Sequence, residues 1–180
     1  MKEAILQDIK KELIKGHTKR GHPFRYFSFG TSKNNIPQQR TVVLRKILPD
    51  FTLLVYTDLR SQKIEEIEQN ISVSALFYHP KKLIQIKITA TTEIVVDKKE
   101  LKLFWGNISE KSRKDFTTSQ PPGSKVNSPE QVDYTSDKNH FCILKLKPTN
   151  IEYLKLTRPN HIRIEYTKVD EEFIGEFLVP

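Results

Sequence analysis

Two arginines flank a hydrophobic segment, RTVVLRKI, at residues 40–47. Arg40 and Arg45 are five residues apart, so in an extended strand their side chains would lie on opposite faces and near opposite ends. A guanidinium group binds phosphate or carboxylate through paired N–H donors. The segment therefore predicts a buried strand with two anion-binding side chains, each in different surroundings.

A second group of polar residues follows the apolar run LLVY at residues 53–56. Thr57 ends the predicted strand, and Ser61, Gln62 and Lys63 begin a short predicted helix with Ser61 as its N-cap. Free backbone N–H groups and the positive end of the helix dipole attract an anion at this position. Lys63 adds a positive charge, and the hydroxyl groups of Thr57 and Ser61 add neutral donors. The spacing predicts a phosphate site that an arginine from a neighbouring strand could complete.

These groups must be positioned by the elements that the hydrophobic periodicity predicts. Helical spacing of apolar residues predicts an N-terminal helix at about residues 3–15, a short helix at 61–70 and helical structure at 98–116. Extended segments rich in β-branched and aromatic residues predict eight strands. They lie at residues 24–32, 40–47, 51–57, 71–79, 82–96, 140–156, 161–168 and 171–180.

Six or more antiparallel strands with a few peripheral helices predict a mainly β fold, a closed or nearly closed barrel, because closure removes exposed strand edges. A small barrel is filled by its own side chains, so a ligand would bind on its outside or between two copies. Residues 1–180 are predicted to form a single domain. A long loop at about residues 118–139, rich in Pro, Ser, Gly and Asn, is typical of a lid, a partner-contacting arm or a disordered insert.

Composition limits the classes of function. The single cysteine, Cys142, cannot form an internal disulfide, and the charged N-terminus lacks a signal-peptide core, so a cytoplasmic location is predicted. No stretch approaches ~18 apolar residues, so no membrane span is predicted. The net charge of +8 is scattered along the chain and favours a solvated basic surface or a small anionic ligand over nucleic acid. No metal site is predicted, because no Cys/His group has metal-ligand spacing.

Several segments occur in an order that resembles one known family. They are RTVVLR, VYTDLRSQK, a helix ending in QN, VSALFY, QIKITATTE and a C-terminal HIRIEY followed by LVP. In this order they resemble the pyridoxamine 5'-phosphate oxidase-like FMN-binding split barrels over about residues 20–180. The resemblance implies a homodimer of split barrels, each binding FMN in a groove at the subunit interface.

The resemblance also implies roles for individual residues. Arg40 and Lys63 resemble the flavin-phosphate ligands, and Arg163 resembles an arginine that reaches the cofactor from the partner chain. Two positions depart from the family pattern, since Gln62 replaces an arginine and Leu154 replaces a tryptophan. The implied cofactor-binding set is Arg40, Ser61, Gln62 and Lys63 around the phosphate, Tyr56 and Thr57 along the ribityl chain, Val42, Val43, Leu44 and Gln85 at the ring, Arg45 on the substrate side, and Arg163.

The resemblance implies a substrate site beside the flavin, in which Arg45 stands where the family carries a lysine. The other substrate ligands align in two registers, of which the first lacks two phosphate ligands of the vitamin enzyme and the second lacks only its tyrosine. The first register gives Phe104, Ile108 and Ser112, and the second gives Ser109, Arg113 and Thr117. The late motif at residues 159–161 also lacks its arginine. The candidate substrate-binding residues are Arg45, Ser112, Arg113 and His161.

We therefore expect an FMN-dependent oxidoreductase that acts on an unidentified small molecule, with no catalytic residue assigned. One alternative is a non-catalytic flavin-binding or stress-related protein whose loop at residues 118–139 contacts a partner. A genuine pyridoxamine 5'-phosphate oxidase is a second alternative, and replacement of FMN by another flavin-like or haem ligand is a third. A single-stranded nucleic acid binder that stacks bases on the aromatic segment FRYFSF is a fourth.

Overall fold

Nine strands and four α-helices form the regular structure of the protein, and the computed structural model describes all of residues 1–180. The strands are β1 (Tyr26–Lys33), β2 (Ile36–Val43), β3 (Lys46–Ile47), β4 (Leu53–Asp58), β5 (Ser72–His79), β6 (Ile84–Val95), β7 (Phe141–Lys155), β8 (Ile162–Val169) and β9 (Glu172–Leu178). The helices are α1 (Lys2–Thr18), α2 (Gln62–Gln69), α3 (Lys98–Trp105) and α4 (Glu110–Arg113), with 3₁₀ turns at Pro23–Arg25, Lys114–Phe116 and Pro129–Gln131. No helix is long and apolar enough to cross a membrane.

All nine strands belong to one antiparallel sheet. Its order is β2-β1-β5-β6-β7-β4-β3, and β8 pairs with both β7 and β9. The two ends of this path, β2 and β3, are neighbours in the sequence, so the sheet curls into a barrel. The predicted mainly β, barrel-like architecture with flanking helices is confirmed.

The predicted strand at residues 40–47 is not continuous, because the chain changes pairing partner in its middle. The backbone N–H of Leu44 donates to the carbonyl oxygen of Arg25 at 2.9 Å, beside the β1–β2 hairpin. The next N–H, that of Arg45, donates to the carbonyl oxygen of Leu54 at 3.0 Å, beside the β3–β4 hairpin. Leu44 and Arg45 therefore form the seam between the two hairpins, and Arg45 lies between strands rather than within one.

The core fills the barrel and is closed at one end by α1. Leu6, Ile9 and Leu13 on one face of this helix are buried in the same cluster as the barrel interior. The helix extends beyond its predicted end near Gly16, where it packs closely against the turn that follows. A Cβ atom at Gly16 would lie 2.9 Å from the carbonyl oxygen of Phe24, so only glycine allows this approach.

The loop predicted at residues 118–139 contains little regular structure, but it is attached to the barrel. Arg60 donates from Nη2 to the carbonyl oxygen of Thr118 at 2.9 Å and from Nη1 to that of Ser119 at 3.2 Å. The same guanidinium forms an ion pair of 2.7 Å with Asp58, whose side chain is buried. The loop is therefore connected directly to the residues that lead into α2.

Candidate functional site

Lys63, in the first turn of α2, is half-buried and its ammonium group has neutral partners. Its Nζ lies 3.0 Å from both the Thr57 and the Ser61 hydroxyl oxygens. The two carboxylates that act on it electrostatically, Asp58 and Glu66, are each paired with an arginine instead. Burial lowers the pKa of Lys63, because a buried charge loses its hydration, and repulsion from a nearby arginine lowers it further. Lys63 thus lacks a counter-ion where the sequence predicts a phosphate.

Ser61 is the N-cap residue of α2, as predicted, but its hydroxyl does not cap the helix. It lies 3.2 Å from the Thr57 hydroxyl and 3.0 Å from the Lys63 ammonium instead. The backbone N–H groups of the first turn of α2 therefore donate no hydrogen bond to this side chain. Gln62, beside it, is exposed.

Arg40 is the arginine whose charge lowers the pKa of Lys63. Its main partner is Glu66 on α2, whose carboxylate is fully buried and lies 2.6 Å from Nη2. Arg40 also donates to the Thr31 hydroxyl. The structure therefore brings Arg40 close to Lys63 but already ties it to a carboxylate, which the sequence did not indicate. Since a guanidinium carries five N–H donors, Arg40 retains donors for a further ligand.

The residues predicted to lie against a flavin ring differ in their accessibility. Leu44 is fully buried in the core, so its side chain has no surface for a ligand. Val42 and Val43 are half-buried. Tyr56 is half-buried as well, and the Arg45 guanidinium lies 5.3 Å from the centre of its ring.

Gln85 and Arg163 lie in one row across the sheet, because Gln85 is paired with Leu154 and Leu154 with Arg163. All three side chains are partly exposed on the face that points away from the core. Thr57, in contrast, is paired with Cys142 at the other end of β7. Twelve residues separate Cys142 from Leu154, which corresponds to roughly 40 Å in an extended strand. One chain therefore places these two parts of the predicted flavin site far apart.

Arg45 points into a cleft of about 420 Å³ beside the seam. Its Nε is buried without a hydrogen-bond partner. Burial lowers the pKa of Arg45, and repulsion from Arg25 adds to the effect. Neither arginine forms an ion pair, so the cleft carries excess positive charge that an anion would neutralise. The lining residues are His17, Arg25, Leu44, Arg45, Tyr56, Asn107, Ile108, Ser109 and Ser112.

The predicted substrate-binding residues separate into two groups. Arg45 and Ser112 line the same cleft. Arg113 instead donates to the carbonyl oxygen of Trp105 at 3.2 Å and lies 5.3 Å from the centre of the indole ring. His161 is exposed in the turn after β7, where its Nδ1 accepts a backbone N–H at 3.1 Å.

Three polar residues of the cleft were not predicted, namely His17, Arg25 and Asn107. They lie on the last turn of α1, on a 3₁₀ turn and after α3. Their convergence depends on how these elements pack, so no local spacing in the sequence could have revealed it. Burial lowers the pKa of His17, and nearby Lys46 and Arg25 lower it further, which is a sign of the positive potential at this place.

Glu12, His22 and His79 form a third polar cluster, with one ligand-type atom from each within 4.8 Å of the others. In both histidines Nδ1 accepts a backbone N–H, at 3.2 and 3.3 Å. The neutral rings therefore carry their proton on Nε2, whereas a metal-bound histidine normally donates from its second nitrogen. Glu12 is already paired with Lys15 at 2.6 Å and Lys82 at 2.7 Å. The cluster is arranged as an ion-pair network that fixes α1 to the barrel.

The family model of the pyridoxamine 5'-phosphate oxidase FMN-binding domain matches residues 2–96, which is more than half of the chain. The protein belongs to this family. The match extends from α1 through β6 and so includes Arg40, Thr57, Lys63 and Gln85. Family membership identifies the protein as one of a flavin-binding group.

Solved structures share the fold of this family member. A pyridoxamine 5'-phosphate oxidase-related, FMN-binding protein from Nostoc punctiforme PCC 73102 is 22% identical, with a TM-score of 0.78 and 97% of each chain covered. PhzG from Burkholderia lata 383 is 16% identical, with a TM-score of 0.78, and the match covers 98% of this chain and 92% of PhzG.

General stress protein 26 from Bacillus anthracis str. Sterne is 21% identical, with a TM-score of 0.52, and the match covers 81% of this chain and 92% of that protein. At these identities the likeness establishes the FMN-binding split-barrel fold. No curated protein matches the chain.

Proposed function

We propose that the protein is an FMN-dependent oxidoreductase that acts on a small organic anion. The observation that carries this proposal is the Lys63 ammonium, half-buried at the start of α2 with two hydroxyl partners and no carboxylate. Such a cation is costly to bury alone, and a phosphate dianion would compensate it. The group is accordingly suited to hold the phosphate of FMN.

The residues around Lys63 fit a phosphate in charge and in donor type. Thr57 and Ser61 supply hydroxyl donors, and Arg40 has N–H donors that Glu66 and Thr31 do not use. The first turn of α2 adds backbone N–H groups. When bound, FMN would supply the redox chemistry by exchanging a hydride with a substrate. The protein residues hold and orient it.

We propose that the functional form is a homodimer. Gln85 and Arg163 are separated from Thr57 by the length of β7, so in one chain they could not contact the flavin whose phosphate lies at Lys63. A second copy could supply them, together with the half-exposed sheet face on which they lie. The buried, unpaired Cys142 accords with a cytoplasmic location.

The cleft beside Arg45 is proposed as the substrate site. Arg25 and Arg45 would bind a carboxylate or phosphate group, and the Ser109 and Ser112 hydroxyls and the Asn107 amide would add neutral hydrogen bonds. PhzG, which has a similar fold, is described in complex with tetrahydrophenazine-1-carboxylic acid, an organic acid. An organic acid is therefore a reasonable first class of substrate to test.

The proposal is tested by titrating the apoprotein with FMN and with riboflavin, which lacks the phosphate. We expect the wild type to bind FMN about a hundredfold more tightly, and Lys63→Met to lose most of this preference. Lys99→Met, at an exposed position on α3, is the matched control and should retain it. Equal affinity for both flavins in the wild type would refute the phosphate site.

Anaerobic mixing with NADH or NADPH, followed by carboxylates that carry a reducible double bond, tests the oxidoreductase activity. Loss of the flavin absorption band on reduction, and its return with a substrate, is the expected result. Tight FMN binding without either change would favour the non-catalytic alternative, which the similarity in fold to general stress protein 26 also supports.

A further inference from the structure

A second cleft, between α1 and the barrel, has a floor built by the register of β6 and β7. Ile84 is paired with Lys155, and Ile86 is paired with Tyr153. Residues two apart in a strand share a face, so these four side chains form one block under α1. Ile84 and Tyr153 are 7% exposed and Ile86 is fully buried. The floor is therefore apolar, with one phenol and one ammonium group at its edge.

The helix supplies the opposite wall of this α1 cleft, which has a volume of about 480 Å³. Asp8 and Lys15 are each three or four residues from both Lys11 and Glu12, so the four residues lie along one stripe of the helix. Lys82, from the turn between β5 and β6, completes the rim. Such a volume accommodates a small aromatic molecule rather than only water.

The charges of the cleft do not balance. Its four cations, Lys11, Lys15, Lys82 and Lys155, face only two carboxylates. Glu12 is shared by Lys15 at 2.6 Å and Lys82 at 2.7 Å, and Asp8 lies 3.5 Å from Lys11. Lys155 pairs with no carboxylate. The cleft thus has two positive charges in excess and at least one free ammonium group.

Tyr153 provides the second sign of a ligand site. Tyr153 is only 7% exposed, and it lines the cleft with a hydroxyl that forms no hydrogen bond to a protein group. Burial raises the pKa of Tyr153, and the nearby Asp8 and Glu12 raise it further, so the hydroxyl keeps its proton and remains a donor. A hydroxyl that lines a cleft without a protein partner is free to bond water or a ligand. Here it lines the cleft beside the unpaired Lys155, two residues along β7.

We propose that the α1 cleft binds a small organic anion, an apolar body bearing one carboxylate or phosphate group. The apolar body would lie on Ile84 and the Tyr153 ring, and the anionic group would accept hydrogen bonds from Lys155 and from the Tyr153 hydroxyl. This site is built on α1, β6 and the end of β7, whereas the proposed phosphate site is built on β2, β4 and α2. It does not depend on the proposed flavin chemistry.

The test uses isothermal titration calorimetry on the full chain, with and without saturating FMN. The probes are benzoate, phenyl phosphate and neutral benzyl alcohol. Comparison of benzoate with phenyl phosphate shows whether the cleft prefers a carboxylate or a phosphate group. We expect one anion to bind at least about tenfold more tightly than the alcohol, in either the presence or absence of FMN. Its affinity should fall about tenfold in Lys155→Gln and about fivefold in Tyr153→Phe.

Lys147→Gln is the control, since Lys147 is an exposed lysine outside the cleft that pairs with Glu93. It should bind the probe like the wild type. The proposal is overturned if no anion binds saturably up to ~10 mM or if the alcohol binds equally well. It is also overturned if FMN abolishes binding, or if Lys155→Gln and Tyr153→Phe, both checked for cooperative thermal unfolding, bind as tightly as Lys147→Gln.

Discussion

Two helices each bury a glutamate against the barrel, but the cations around them are arranged differently. On α1, Glu12 is contacted by both Lys15 and Lys82, which are held within 2.7 Å of its oxygens. On α2, Arg40 is the only cation paired with Glu66, which also accepts from the Thr31 hydroxyl, and the nearby Lys63 is left with hydroxyl partners.

The difference shows how a structural ion pair can be told from a binding site. Around Glu12 the cations are bound directly to the carboxylate, so they stabilise the attachment of the helix. Around Glu66 one cation remains uncompensated, and a protein retains such a group at a cost in stability. The same residue types therefore support the fold around Glu12 and predict a ligand around Glu66.

Glu66→Ala should give the largest change. It removes the buried partner of Arg40, whose side chain is 24% exposed, and we expect a loss of about 3 kcal/mol in the free energy of unfolding. Urea denaturation of the apoprotein measures this loss. Glu65→Ala, at an exposed neighbouring position on α2, is the control, and a loss below about 1 kcal/mol in Glu66→Ala would contradict the importance of the pair.

Acid should weaken the ion pairs that Glu12 forms on α1. Hydrogen bonds and attraction from Lys15 and Lys82 outweigh the effect of burial and lower the pKa of Glu12 to about 2. Since the pKa is lower in the folded protein, the stabilisation is present above pH 4.5 and is lost as the pH falls towards 2. Urea denaturation at a series of pH values measures how the free energy of unfolding changes with pH. Between pH 4.5 and pH 2 the wild type should lose about 2 kcal/mol more than Glu12→Gln. Parallel pH profiles for the two proteins would show that Glu12 does not anchor the helix electrostatically.

The same substitution at the two helices should act in opposite directions. Lys63→Met removes an uncompensated charge and should stabilise the apoprotein by about 1 kcal/mol, because methionine needs no hydration. Lys15→Met removes an ion pair of a partly exposed lysine and should destabilise by about 0.5 kcal/mol. Thermal unfolding of both apoproteins measures the two changes in stability. If both variants were stabilised, or both destabilised, Lys63 and Lys15 would not differ in the way described.

The smallest effect is expected at the loop that adjoins α2. Arg60→Lys keeps a positive charge beside the buried Asp58 but loses the guanidinium donors that bond Thr118 and Ser119, so the loop at residues 118–139 should open more often while the barrel stays intact. Limited proteolysis should cleave this segment about threefold faster, with less than about 1 kcal/mol change in global stability. An unchanged cleavage rate would mean that other contacts hold the loop.

Much of the fold follows from local patterns in the sequence. Alternation of apolar residues located the strands, and the spacing of Thr57, Ser61 and Lys63 correctly brought three polar side chains together at the start of α2. The break at Leu44 and Arg45 was missed, because a change of pairing partner leaves no mark on a continuous apolar run. The burial of Glu66 was missed as well, since a glutamate in a short helix is usually exposed.

The seam at Leu44 and Arg45 has a further consequence. Successive amides of the chain close two different hairpins there, while the side chains of Arg25 and Arg45 repel each other across the adjoining cleft. An anion between the two guanidinium groups would relieve this repulsion and draw the hairpins together. Binding of an anion in the cleft should then slow hydrogen exchange at the backbone amides of Leu44 and Arg45. These two amides would therefore show whether the cleft is occupied.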